Sequence, residues 1–243
     1  MQRFLLGTAA ALAMAGSAIA ADMPVKAPPV KAPPLPVQGY NWTGCYVAGG
    51  GGYGMFNQDI RQDGFQDTIG GRGWFGTVGG GCDLQLGSSW VVGAFGDYDF
   101  SGLKGNLITP ETALTGRDKE KSAWAAGGRL GYILTPAILA YVNAGYTQTR
   151  FGAVNLFDGA VPDGSIAAHT YTGWFVGTGY EYRLNFIPGL FWRTEYRFAQ
   201  YGRDNVAILD GVGAPTGATI SSDKTVQTIR SELVWRFNWG GRY

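Results

Sequence analysis

The stretch Gly173–Phe198, GWFVGTGYEYRLNFIPGLFWRTEYRF, constrains the fold more than any other part of the chain. Trp174, Val176, Thr178, Tyr180, Tyr182 and Leu184 share one parity, and Phe175, Gly177, Gly179, Glu181 and Arg183 share the other. Period two marks a strand with unlike faces. Pro188 and Gly189 predict a turn within Asn185–Gly189. The alternation then resumes, with Trp192, Thr194, Tyr196 and Phe198 against Arg193, Glu195 and Arg197. A soluble sheet would bury its apolar face and wet its polar one. Here the apolar face is ringed by Trp and Tyr, and the other mixes glycine with ionised side chains. That sidedness predicts a hairpin of a transmembrane β-barrel, aromatics toward lipid and charges toward a narrow lumen.

Composition agrees. Forty glycines in 243 residues argue against a helical bundle, and 14% aromatic residues argue against disorder. The absence of a basic stripe gives no reason to expect nucleic acid. Formal net charge is +1, falling to zero if a segment containing Arg3 is removed. Such a segment is expected at residues 1–20: Arg3 precedes an apolar run, and Ala18-Ile19-Ala20 suits cleavage. The apolar run nearest to helix-spanning length, Ala123–Val142, is interrupted by Arg129 and Pro136. Residues 21–39 hold six prolines with Lys26 and Lys31, predicting an extended periplasmic linker. It is a spacer or a contact with the cell wall.

Residues 40–243 then form one domain, expected to be all-β: an eight-stranded antiparallel up-and-down transmembrane β-barrel. The strands are expected at Trp42–Phe56, Gly73–Leu86, Trp90–Phe100, Ser122–Leu134, Ile138–Phe151, Tyr171–Leu184, Leu190–Tyr201 and Val226–Trp239. Short connections alternate with long polar ones (Asn57–Arg72, Ser101–Lys121, Gly152–Thr170, Gly202–Thr225). This is the habit of outer-membrane barrels with both termini in the periplasm. Trp90 and Tyr98, Trp124 and Tyr132, and Trp174 and Tyr182 lie eight residues apart. Eight residues at ~3.3 Å each, tilted by ~40°, rise roughly 20 Å, close to the ~25 Å apolar band of such barrels. Together with Trp74, Tyr146, Trp192 and Trp235 they are predicted to form two interfacial girdles. The inward parity collects Asp83, Asp97, Asp99, Glu181, Glu195 and Glu232 with Arg129, Arg183, Arg193, Arg197, Arg230 and Arg236, six of each sign. Balanced signs in a tight lumen predict a salt-bridged plug; a selectivity ring in a pore is the rival. Cys45 and Cys82 stand at similar height on neighbouring strands, as a periplasmic disulfide would require. Two lipid-facing thiols are the alternative.

Other motifs carry less. Gly49, Gly51 and Gly54 fit G-x-G-x-x-G, but no helix is expected to follow, so no cofactor is predicted. The lone His169, near Ser165 and Asp163, is expected to be a solvated loop residue, not a catalytic one. Asp97 and Asp99 could hold a cation, but lumen arginines are the expected partners, and two cysteines with one histidine make no usual zinc site. Neither catalysis nor a metal is predicted. The ending IRSELVWRF resembles the signal read by the barrel-assembly machinery, with Phe237 or Tyr243 as its effective end.

NWTGCYVAGGGGYG at 41–54, GGGCDLQLG at 79–87, GWFVGTGYEYR, TEYRF and the VWRF ending resemble the small outer-membrane β-barrel proteins of α-proteobacteria, the RopB-type porin-like family. The Pro-rich leader is similar too. The resemblance implies an OmpA-like barrel in the cell outer membrane, among lipid and lipopolysaccharide, with surface-exposed loops and a role in envelope integrity. It implies no catalytic residue. A narrow diffusion channel for small solutes is the alternative, and neither the loops nor the lumen names a ligand.

Overall fold

A computed structural model describes residues 40–62, 65–108, 115–159 and 161–237. The expected signal and linker segments, residues 1–20 and 21–39, lie outside them, as do Trp239 and Tyr243. In chain order the strands are β1 (Gly44–Gln62), β2 (Phe65–Leu86), β3 (Trp90–Ser101), β4 (Lys104–Ile108), β5 (Thr115–Thr135), β6 (Ile138–Phe151), β7 (Val154–Asp158), β8 (Val161–Ile166), β9 (His169–Arg183), β10 (Leu190–Leu209) and β11 (Pro215–Phe237). β1, β2, β3, β5, β6, β9, β10 and β11 each pair antiparallel with the next, and β11 pairs back onto β1. The ring is closed, so every wall strand has two neighbours and no edge is left to lipid.

Inside and outside follow the pleat. All ten predicted girdle aromatics face out, from Trp124 at 39% exposed to Trp74 at 73%. They fall into two rows. Trp90 stands opposite Tyr132, and Tyr182 opposite Trp192, near the short turns, with Trp235 beside them. Tyr98 opposite Trp124 and Tyr146 opposite Trp174, with Trp74, form the second row. Val78, Leu130, Val142 and Val176 fill the exposed band between.

The four connections expected to be long polar loops are largely strand. β1 and β2 run on as a paired ribbon to Gln62 opposite Phe65. β4 bridges β2 and β5, and β7 and β8 form a small hairpin. β10 and β11 continue past the second aromatic row. The dyad pattern survives there, but its inward apolar members are single residues among polar ones: Ile60, Ile69, Val206 and Ile220. Strand pairing also satisfies the backbone groups of these segments. The last strand ends at Phe237 and the first begins at Gly44, whereas Trp42 turns under the barrel and is fully buried.

Cys45 stands opposite Cys82 and is bonded to it, on the outward parity of β1 and β2. The bond closes a sequence separation of 37 residues. In the chain-entropy account a loop of that size is worth about 4 kcal/mol. Replacing both cysteines by serine is therefore expected to lower the urea midpoint of the folded barrel. Loss of the unboiled gel band with urea measures it, and reductant should move the wild type to the same place.

Candidate functional site

The candidate site is the barrel interior, which holds three layers of ionised groups between two apolar plugs. Nearest the short turns, Trp42, Val91, Leu139, Phe191 and Val234 form a dry floor. Tyr40, Trp42 and Phe191 stack with ring centroids 5.0–5.3 Å apart.

Above the floor, Glu181 is fully buried and directly opposite Arg193 on the neighbouring strand. It accepts from Arg129 at 3.3 Å, Arg193 at 3.1 Å and Arg236 at 2.5 Å. Asp83 takes a second donor from Arg236 at 2.7 Å and pairs with Arg129. The Tyr46 ring sits among the same three guanidinium groups, 4.6 Å from Arg129 and Arg193 and 5.0 Å from Arg236. Glycine makes room for this layer. A Cβ on Gly93 would collide with the Asp83 carboxylate, and one on Gly179 would lie 2.7 Å from the Tyr141 hydroxyl.

In the middle layer Arg197 grips Asp97 through two bonds, 2.9 and 2.8 Å, and donates to Glu195 at 3.0 Å. Glu195 also accepts from Tyr141 Oη at 2.9 Å and Asn143 Nδ2 at 2.8 Å. Arg230 joins Asp97 at 3.2 Å to Asp99 at 3.0 Å, and Arg193 reaches Glu232 at 3.6 Å. Fork-shaped donors suit this bridging, since one guanidinium can serve two carboxylates at fixed angles. Eleven of the twelve predicted lumen charges are thus paired, in two clusters: Asp83, Arg129, Glu181, Arg193, Glu232 and Arg236 below, and Asp97, Asp99, Glu195, Arg197 and Arg230 above. Arg183 is the exception. As the last residue of β9 it reaches the rim, where it lies 5.8 Å over the Tyr40 ring and enters none of these pairs.

The third layer was not anticipated. Lys224 is 1% exposed. It donates to Asp118 at 2.7 Å and to Gln58, and its ammonium lies 3.6 Å from the centre of the Phe151 ring. Glu120 beside it accepts from Thr149 Oγ1 at 3.0 Å. Lys224 shares the parity of Arg230 and Glu232, so that signal was present. Asp118 and Glu120 do not share the parity of Arg129, because the register slips between Glu120 and Ser122. That one-residue bulge turns even-numbered positions inward. Phe56, Ile60, Leu103, Leu156, Phe175 and Val206 close the lumen around this layer.

His169 opens β9, and its Nε2 is 2.8 Å from Asp204 Oδ2 on β10. The bond holds the Asp204 carboxyl below the usual carboxylate range. Neither Ser165 nor Asp163 joins the pair.

The chain is similar to known proteins along nearly its whole length. Residues 8–237 match the model of the outer membrane protein beta-barrel domain. This chain belongs to that family. The 31 kDa outer-membrane immunogenic protein of Brucella melitensis is 30% identical, covering 98% of this chain and 100% of the relative. The 25 kDa outer-membrane immunogenic protein of Brucella canis is 26% identical over 98% and 99%. The crystal structure of the outer membrane protein OprG from Pseudomonas aeruginosa superposes with a TM-score of 0.52 at 14% identity, covering 82% of this chain and 99% of that one. The last likeness is one of fold. The β-barrel domain family accounts for the closed ring, and the residues above account for its filling.

Two outcomes follow from the filling. Glu181→Gln leaves three buried arginines short of a counter-ion, which is expected to cost about 3–5 kcal/mol. Urea titration of the gel shift reads the loss, and the exposed pair Arg203–Asp223 serves as a control expected to cost under ~1 kcal/mol. The second concerns pH. Glu120 lies beyond the second aromatic row, and burial pushes its carboxyl from 4.5 up to about 7. The folded state therefore holds a proton that the unfolded chain has released. Its contribution is complete below pH 4.5 and lost as pH rises to about 7, a change of roughly 3 kcal/mol. Glu120→Gln is expected to flatten that part of the stability–pH curve and to leave the variant more stable than wild type above neutral pH.

Proposed function

We propose that this protein is a rigid, non-conducting wall element of the outer membrane, with both chain ends periplasmic and the extended hairpins outside. The observation that carries this reading is the filled lumen. The spaces among Tyr46, Asp97, Arg193 and Arg230, and among Asp99, Glu120 and Arg197, measure about 10 and 30 Å³. Such spaces hold a water molecule or so, not a hydrated ion in transit. Releasing a path would mean breaking buried, multiply bonded ion pairs, whose removal leaves charges without solvent or partner. The reading is also non-enzymatic: His169 is engaged by Asp204, and neither Ser165 nor Asp163 joins that pair.

Orientation is supported by the contrast of the two ends. Three wall turns are short, while the opposite end carries the β1–β2 and β10–β11 ribbons and the β7–β8 hairpin. Those ribbons would meet the surroundings of the cell, which fits relatives whose names call them immunogenic. The expected partners are outer-membrane lipid and lipopolysaccharide around the aromatic rows and, during insertion, the barrel-assembly machinery reading the amphipathic β11. Contact with the cell wall through residues 21–39 belongs to the undescribed part of the chain.

The rival is a narrow channel for small solutes. Planar bilayers containing the refolded protein are expected to show no discrete conductance steps at neutral pH. Reproducible steps that change with Arg197→Ala would make the network a selectivity filter and overturn the wall reading.

A further inference from the structure

The lumen pairs almost every charge it holds; one sector of the outer wall does the reverse. Arg72 on β2 stands directly opposite Lys104 on β4, and Lys104 directly opposite Lys119 on β5. Arg117 lies opposite Asn106 one step along, and Arg150 on β6 opposite Ser122. These five cations are exposed, and among the described residues none is in an ion pair. Like charges directly opposed across a ladder are destabilising. Three in one row are therefore a cost that folding alone does not explain.

The same row borders a cleft of about 470 Å³, lined by Arg72, Lys104, Arg117, Asn57, Asn106 and Met55. Its floor is backbone at Gly70, Gly71 and Gly105, with the Phe56 ring behind it. A Cβ at Gly71 would strike that ring, and one at Gly105 would lie 2.7 Å from the Gly70 carbonyl. No acidic side chain faces out from residues 68–74 of β2, 115–124 of β5 or 146–150 of β6. Asp59, outward on the adjoining β1, is engaged by the Thr68 hydroxyl at 2.7 Å. The opposite sector differs: there Arg203 is paired with Asp223 at 3.1 Å.

Height identifies the occupant. Arg72 is two residues beyond Trp74 on the same face of β2, and Arg150 is four beyond Tyr146 on β6. At ~3.3 Å per residue and ~40° tilt these side chains start roughly 5–10 Å past the aromatic row, at headgroup level. Arginine forks and lysine ammonium groups around asparagine amides suit phosphate oxygens. Met55 and the exposed Trp74 beneath offer an apolar seat for acyl chains.

We infer that the β2–β4–β5 sector is a docking site for the phosphorylated headgroup of an outer-leaflet glycolipid, gripped by Arg72, Lys104, Arg117 and Lys119. The outer-leaflet assignment rests on the orientation proposed above.

The test uses the full chain folded in zwitterionic micelles. Native mass spectrometry would measure retention of bisphosphorylated lipid A, of the same lipid without phosphates, and of inorganic diphosphate. Retention of bisphosphorylated lipid A, weakened at least ~10-fold by Arg72→Gln/Lys104→Gln/Lys119→Gln and unchanged by Arg203→Gln/Asp223→Asn, is expected. Without lipid, the triple variant should unfold at the same urea concentration as wild type or a higher one, because relieving opposed like charges does not destabilise the sheet. Equal binding by the triple variant overturns the inference, as does equal binding of the dephosphorylated lipid. Diphosphate retained as strongly as lipid A would assign the site to a soluble anion and also overturn it. Orientation is tested separately with Asn106→Cys and a membrane-impermeant maleimide on intact cells. Labelling is expected; its absence overturns the orientation, and with it the outer-leaflet assignment, whatever the purified barrel binds.

Discussion

An ionised side chain in a narrow cylinder has nowhere to find water, so its counter-charge must come from the protein. That requirement organises the interior here. Eight strands enclose a space that side chains fill but for gaps of about 10 and 30 Å³. Glu181 therefore gathers Arg129, Arg193 and Arg236, and Asp97 is shared by Arg197 and Arg230. Each of these five arginines bridges two carboxylates, so the pairs become a lattice of two clusters tying non-adjacent strands together across the lumen. The Arg129–Asp83 and Arg236–Asp83 contacts join positions 46 and 153 residues apart. The lattice cross-braces the ring, while the apolar plugs keep solvent from competing with it.

Glycine and the aromatic rings are consequences of the same crowding. Arginines turned inward from facing walls need flat partners as well as anions. Tyr46 supplies one to three of them, and Phe175 lies 4.4 Å from Arg197. Rings and guanidinium groups together overfill the bore unless some inward positions carry no side chain. Gly93 and Gly179 are such positions, one leaving space for a carboxylate and the other for a tyrosine hydroxyl. The G-x-G-x-x-G spacing at Gly49, Gly51 and Gly54 lies within β1 and belongs to wall packing, not to a nucleotide loop.

Sidedness was legible in the sequence wherever the pleat ran unbroken. Trp174 to Tyr182 and Trp192 to Phe198 reveal their faces by parity alone, and the register places Glu181 against Arg193. Legibility ended at the bulges. Between Glu120 and Ser122, and again between Tyr201 and Asp204, the register shifts and the inward set changes parity. Asp118, Glu120 and Val206 were invisible for that reason, since nothing in the residue types marks the slip. The far ribbons were missed for another reason. Outside the lipid band the outward positions are polar, so Ile60 and Ile220 look like isolated apolar residues in loops until strand pairing is known. Trp42 and Phe191 were missed because inward apolar residues are expected of a soluble core, whereas here they close a charged bore.

Arginine and lysine therefore meet two opposite treatments within one wall thickness. Inside, each buried guanidinium among the described residues has been given a carboxylate by the chain itself. Outside, just past Trp74 and Trp124, Arg72, Lys104 and Lys119 are lined up against one another with none among the described residues. Solvent screening lowers the cost of such a row but does not remove it, because the opposed strands hold the charges at ladder spacing. A sheet under no external demand would relieve it by alternating signs, as Arg203 and Asp223 do on the other side of the barrel. The unrelieved row is confined to the sector with the glycine-floored cleft and to the height of lipid headgroups. The counter-charge missing among the described residues is therefore best sought in the membrane.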